Sequence, residues 1–470
     1  MTARRRPRDG RWIDLFARAT FALAAATAMP FAAADTPAPL VWKTINAKGG
    51  YTAEALGDPR GEGTHVVVRA SASPEGDFGG TGTAVDAAPL RGSRVVVEAT
   101  LAPSAEANNV TIWLRADDAN AKPIGFATSA PQPVPPGTSA RREIGLWVPK
   151  AATHVVFGVV LPGKGSVVAD GLRLRVDADA KPAGGVTARA TIDAAIAIVR
   201  DKALKADAID WPAASARYRA MAGDSDPAPV AYAAIRALLA ELRDGHSFLM
   251  ERADAKDHDG AGRAIESPVV RLEAGGIGYV RVPAYIGGNP ADVTAFAQTM
   301  AAEIDAISAQ ATRGWIVDLR GNGGGNMWPM LAGLRALLGD GEIGGFRDRD
   351  GKVERWRAGD RVDGVKARAD LSNARVAVLL GPKTASSGEA VAVAFHGRPN
   401  ARAFGRATHG QANANSMHKL PDGSRLLLST AIDLDRHGTA FGGKVEPDEV
   451  VDGEAETLAA ATAWLTSPAP

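Results

Sequence analysis

The chain has 470 residues, enough for two or three domains with cores of their own. Lys and Arg number 54 against 53 Asp and Glu, a net charge of +1 with no basic stripe, which argues against nucleic acid or another polyanion as partner. No cysteine occurs, which removes disulfides, thiol catalysis, cysteine metal sites and lipid attachment at cysteine together.

Residues 1–34 differ in kind from the rest. Arg4, Arg5, Arg6, Arg8 and Arg11 precede an apolar stretch from Ala19 to Phe31, which ends in Ala32-Ala33-Ala34 before Asp35. A basic start, an apolar middle and a small-residue end predict a cleavable secretory signal cut near Ala34. A membrane span needs about 20 apolar residues, and Arg18 interrupts any extension of this one. The expected location is periplasmic or secreted, with no membrane span once the signal is removed. The run Arg4-Arg5-Arg6 leaves the export route open.

Residues 35–180 read as an all-β accessory domain. Thr64 to Ala70, Arg94 to Thr100, Val110 to Ala116, His154 to Val160 and Val167 to Val176 are strand candidates without helices between them. Leu172, Leu174 and Val176 alternate with Arg173 and Arg175, as in a sheet with one buried face. This predicts a jelly-roll-like β-sandwich. Trp113 and Trp147 fit either its core or a sugar-stacking surface.

A polar linker, Asp177 to Gly185, leads to a predicted helical cap domain at 186–260. Ile192 to Leu204 and Ala213 to Met221 read as helices. Ile235, Leu238, Leu239 and Leu242 have the spacing of a helix with one buried face. That helix stops at Asp244-Gly245 and presents His246, where the negative helix end favours a protonated ring.

From 265 to 470, strands and helices alternate as in an α/β catalytic core. Val269 to Leu272 and Ile277 to Val282 predict a hairpin, Pro290 to Ala309 a helix, Trp315 to Leu319 a strand and Trp328 to Leu338 a helix. Val376 to Leu380 and Ala390 to Phe395 predict a further strand and helix. Leu426 to Asp433, Thr439 to Phe441 and Val445 to Val451 form a strand-rich close.

Three constellations could carry chemistry. Thr384-Ala385-Ser386-Ser387-Gly388-Glu389 places a serine on a strand-to-helix turn, where unpaired N–H groups could hold an oxyanion. The same letters fit the S-x-x-E capping box, and both readings stand on this motif alone. Asp318-Leu319-Arg320-Gly321-Asn322-Gly323-Gly324-Gly325-Asn326 is a glycine-rich loop lacking both the dinucleotide fingerprint and the phosphate-loop Lys-Ser/Thr pair. His246 is the candidate base and His409, in Thr408-His409-Gly410-Gln411, its rival. No H-x-x-x-H spacing occurs, so neither zinc nor a cofactor is expected.

In order, Asp244-Gly245-His246-Ser247, Asp318-Leu319-Arg320-Gly-Asn-Gly-Gly-Gly, Thr384-Ala-Ser-Ser-Gly-Glu389 and Gly442-Gly-Lys-Val-Glu446-Pro-Asp448 resemble the C-terminal processing and tricorn-type serine peptidases over residues 186 to 465. The resemblance implies a twisted β/α core related to the crotonase and Clp protease spiral. It also implies a peptide or protein substrate and Ser386, three residues before Glu389, as nucleophile. Processing members use a lysine about 25 positions past the serine as base; here Gln411 stands there. The likeness is therefore to the histidine branch, which includes the tricorn core and the nisin-resistance peptidases. Too few residues lie between His246 and Ile277 for the PDZ domain of processing members, so substrate selection must come from elsewhere.

The expected mechanism has His246 taking the Ser386 proton, with the oxyanion between the N–H groups of Gly324 and Ser387. Glu446 is expected to orient the imidazole, with Asp244 and Asp448 as rivals; Glu389 is expected to cap. Two alternatives stay open: a ligand- or peptide-binding protein on the same scaffold, and an esterase or amidase.

Overall fold

The computed structural model describes residues 40–130, 132–180, 185–224, 226–252, 254–255 and 265–468, and the predicted signal lies outside them. Two compact units divide the chain, Met1–Ile196 with Trp211–Leu238, and Ala197–Asp210 with Leu239–Pro470.

In the first unit, β-branched residues at period two build two five-stranded antiparallel sheets. One runs Lys43–Ile45, Phe78–Asp86, His154–Pro162, Thr111–Asp117, Pro123–Thr128 in spatial order. The other runs Tyr51–Asp58, Gly63–Ala70, Ser166–Val176, Arg94–Pro103, Ala140–Trp147. Val66, Val68, Val95 and Val97 of the second meet Ile112, Leu114, Phe157 and Val159 of the first in one core. Each such buried side chain stabilises the fold by roughly 1.5–3 kcal/mol. Trp113 packs with Val156 and Val160 and is only 3% exposed, so it is not a sugar-stacking platform. Met221 and Ala233 pack against the sandwich core, so residues 186–260 do not stand apart as a third unit.

The second unit holds two sheets. Strands Val269–Glu273, Ile277–Arg281, Gly314–Asp318, Val376–Leu380, Ala401–Gly405 and Glu449–Val450 lie side by side in that order; the first pair is antiparallel and the rest are parallel. The long strand Arg425–Asp435 organises the other sheet, pairing with Phe248–Met250, Gly344–Asp348, Asn413–Lys419 and Ala440–Phe441. Gly314–Asp318 and Val376–Leu380 are buried throughout, and Asp318 stands opposite Leu379. Their carboxyl ends are therefore level, and the loops leaving them are neighbours, the usual place for a site on a parallel sheet.

Helix boundaries follow their caps. Asn289 accepts from Ala291 N–H at 2.9 Å and starts Pro290–Ile307. The helix expected at 328–338 is two, Met327–Gly333 and Arg335–Leu338, broken at Leu334 with φ −90° and ψ 6°. The closing segment adds a helix, Glu454–Thr466, to its strands. Among the described residues no helix is long and apolar enough to cross a membrane.

Candidate active site

Ser386 ends the loop that leaves Val376–Leu380 and is the residue before helix Ser387–Phe395. Its backbone has φ 50° and ψ −120°, outside the regions a residue with a Cβ adopts freely. The turn is held by its neighbours. Thr384 Oγ1 donates to Leu319 O at 2.8 Å, Ala385 N–H to Asn322 O at 3.0 Å, and Glu389 Oε2 accepts from Ser386 N–H at 2.7 Å. Ser386 and Glu389 do stand in the capping-box relation, and the Ser386 carbonyl accepts from Glu389 N–H at 2.7 Å. Glu389 does more than cap: wholly buried, it also accepts from Thr408 Oγ1 and from the N–H groups of Gly410 and Gln411, each of these two at 2.8 Å. One carboxylate thus ties the serine turn to the loop at 408–411. Gly388 is required by space, since a Cβ there would lie 2.5 Å from Asn322 O.

The glycine loop is pinned at both ends. Asp318 accepts from Arg320 Nη2 at 2.6 Å and from Tyr279 Oη at 2.8 Å. Burial alone would raise the Asp318 pKa, but these hydrogen bonds outweigh it and hold it lowered. Asn322, fully buried, links this loop to Ala385 through its carbonyl and turns its side-chain oxygen to Gly324 N–H at 3.0 Å. Gly324, at φ 103°, lies against the serine; a Cβ on it would stand 2.8 Å from Ser386 Cβ and 3.2 Å from Ser387 N. The N–H of Ser387 makes no hydrogen bond among the described residues, whereas that of Gly324 is engaged by Asn322.

His246 is buried, and its Nδ1 lies 2.6 Å from Asn413 Oδ1. An amide oxygen there accepts, so Nδ1 carries the hydrogen and Nε2 is the free base. Burial lowers the ring's pKa against the opposing pull of Asn413 and Asp244, reversing the expectation from the helix end. His246 and Ser386 line one cleft of about 1040 Å³ within the second unit. No hydrogen bond joins them in this structure; apo sites are often looser than their substrate complexes.

Glu446 does not reach the imidazole. It is exposed, lies outside the cleft lining and makes no side-chain hydrogen bond among the described residues. The rivals are engaged elsewhere. Asp244 accepts from the N–H groups of His246 and Ser247 at 3.0 and 2.8 Å, and Asp448 accepts from Ala403 N–H at 2.7 Å. His409 is exposed and outside the cleft lining. The partner of the ring is Asn413, which the sequence reading passed over. The signal was there as a polar alternation, Gln411, Asn413, Asn415, on the approach to and start of a strand. All three hold the histidine loop: Gln411 Nε2 donates to Gly245 O at 2.8 Å and Asn415 Nδ2 to His246 O at 2.9 Å. At the lysine position of the processing peptidases, Gln411 thus steadies the loop that carries the histidine.

Residues 276–451 match the family described as Peptidase family S41, a span that includes Ser386, the glycine loop and Asn413 but not His246. The nisin-resistance protein of Lactococcus lactis subsp. lactis is 34% identical over 146 residues, 29% of this chain and 45% of that protein. Carboxy-terminal processing protease CtpA of Bacillus subtilis strain 168 is 28% identical over 144 residues, 30% of this chain and 29% of that protein. The chain spans less than half the length of these curated relatives. A solved lipoprotein from Streptococcus agalactiae shares the fold at 22% identity and a TM-score of 0.53, over 60% of this chain and 96% of that one.

Proposed function

Taking as premise that residues 276–451 of this chain are a peptidase S41 domain, we propose that the protein is an exported serine peptidase with Ser386 as nucleophile and His246 as general base. The observation that carries the reading is the forced backbone of Ser386 at a helix start, beside the unclaimed N–H of Ser387. Such a turn sets the serine at a helix start on the wall of the cleft, the logic of a nucleophile elbow.

In the first step His246 Nε2 accepts the Ser386 proton as Oγ attacks the peptide carbonyl, and Nδ1–H stays on Asn413, which steadies the imidazolium that forms. The charge that gathers on the carbonyl oxygen meets Ser387 N–H. Gly324 N–H exchanges the neutral amide of Asn322 for this anion, a bond that strengthens only as charge develops and so favours the transition state. His246 then returns the proton to the leaving amine, and water repeats the cycle on the acyl-enzyme. Glu389 holds the serine turn without taking part in proton transfer.

The test is labelling with a fluorophosphonate followed by peptide mapping. The label is expected on Ser386, and it is expected to vanish in Ser386→Ala and to fall about 10³-fold in rate in His246→Ala. Label on Ser387, or full peptide hydrolysis by Ser386→Ala, rejects the assignment.

A further inference from the structure

Among its described residues the second unit buries five acidic side chains, and four of them have donors. Asp318 has Arg320 and Tyr279, Glu389 has its four partners, Asp422 has Ser424, and Asp435 has His396 at 2.8 Å together with two main-chain N–H groups. Asp433 has no donor among the described residues: its Oδ1 is buried and unpartnered there, and the residue is 1% exposed. A carboxyl group in that state costs stability that a leucine or a well-bonded amide would not, so its place in the wall of the cleft calls for a ligand.

The surroundings define what could fill the space. Asp433 stands opposite Phe346 across the sheet, and both line the cleft with Trp328, Met327 and Ala390 of the nucleophile helix. Phe346 stacks on Trp356 at 5.1 Å, and Trp328 meets the same ring edge-on at 6.5 Å, so the wall is built from rings that fix one another. The charged group acting on Asp433 is Glu389, of its own sign, and the acid has no counter-ion among the described residues. An apolar wall ending in an unpaired acid fits a side chain with a methylene stem and a positive tip.

We propose that Asp433 is the selectivity residue of a side-chain subsite beside Ser386, and that this subsite takes a lysine or arginine of the peptide substrate. The proposal rests on the serine-peptidase reading above. Burial, reinforced by Glu389, raises the Asp433 pKa well above its ordinary value and so favours the protonated acid. An entering cation reverses that balance and releases a proton. Preference for lysine over an uncharged stem of the same length therefore grows as pH rises.

The test uses the full-length protein and Asp433→Asn against a peptide library randomised at every position, with cuts read by mass spectrometry. Lysine and norleucine peptides are then compared by kcat/KM at the selected position. Expected are a preference for Lys or Arg at one position flanking the cut of at least about tenfold, and a lysine-to-norleucine ratio near one in the variant. Cutting without cationic preference at any position overturns the proposal, as does a ratio unchanged in Asp433→Asn. Should the variant fail to fold, the wild-type ratio decides by itself: a rise from mildly acidic to mildly alkaline pH supports the subsite, and a flat ratio overturns it. Fluorophosphonate labelling of the same sample separates the failures. Label without cationic preference sinks the subsite alone; neither label nor cutting sinks the peptidase reading with it.

Discussion

Glu98 of the first unit and Asp433 of the second are two buried carboxyl groups in opposite circumstances. In the sandwich, Arg115 donates to Asp117 at 2.8 Å, and Glu98 is gripped by Arg173 and, at 2.7 Å, by Arg141. Burial opposes ionisation of Glu98, yet these hydrogen bonds prevail and bring its pKa down to about 2. In the other unit Glu389 is surrounded by neutral donors, Asp433 by none among the described residues, and Ser386 sits in a conformation that costs energy. Where charges are matched to counter-ions the structure serves stability; where they are left unmatched, cost is being tolerated at a cleft.

The sharpest way to test this contrast is Ser386→Gly. Hydrolysis should disappear while thermal unfolding of the second unit moves up by the equivalent of about 1 kcal/mol, because glycine adopts the forced backbone freely. A destabilised variant would show that the turn stores no strain. Next comes Gly324→Ala, whose methyl would enter the space between Ser386 Cβ and Ser387 N. A loss of about 10²–10³ in kcat, with KM less affected, is expected from steady-state kinetics.

A smaller effect with a diagnostic sign should follow from Asn413→Asp. His246 is held below the usual histidine pKa by burial, so the acid limb of the activity profile should fall below the ordinary histidine range in the wild type. A carboxylate on Nδ1 favours the protonated ring, so the limb should move to higher pH in the variant. No movement would mean that Asn413 does not face the working base. The smallest effect belongs to the sandwich. Glu98→Gln should lower its stability by about 1–2 kcal/mol at neutral pH, discounted for the exposed arginine partners, without changing turnover. Because the folded pKa lies below the unfolded one, the wild type's advantage is complete above the ordinary glutamate value and fades as pH falls towards about 2. Urea midpoints at the two extremes read this directly.

What could be read in the chain beforehand was local. Glycine runs, an apolar strand ahead of Ser386 and a helical run that ends at Glu241, short of the predicted stop at Gly245, are short-range signals, and Ser386, the glycine loop and His246 line one cleft. The role of Asn413 is not legible in the sequence because it depends on a contact with His246 across 167 positions, and an amide carries no spacing signal of its own. Glu446 stands in a recognisable motif, but it is exposed on its turn. Gly324 lies where it was expected, but the use of its amide by Asn322 has no counterpart in spacing. Strands such as Tyr51–Asp58 and Phe78–Asp86 went unread because small residues in them break the apolar alternation. Glu454–Thr466 was missed because alanine and threonine on every side blur its buried face.

The level carboxyl ends of Gly314–Asp318 and Val376–Leu380 divide the parallel sheet into a working rim and a spare one. The hairpin turn at Ala274-Gly275-Gly276 lies at the amino end of Ile277–Arg281, on the spare rim, and a Cβ on Gly275 would meet nothing within 4 Å. A fluorophore, affinity handle or inserted reporter belongs there, where added length strains neither loop of the chemistry.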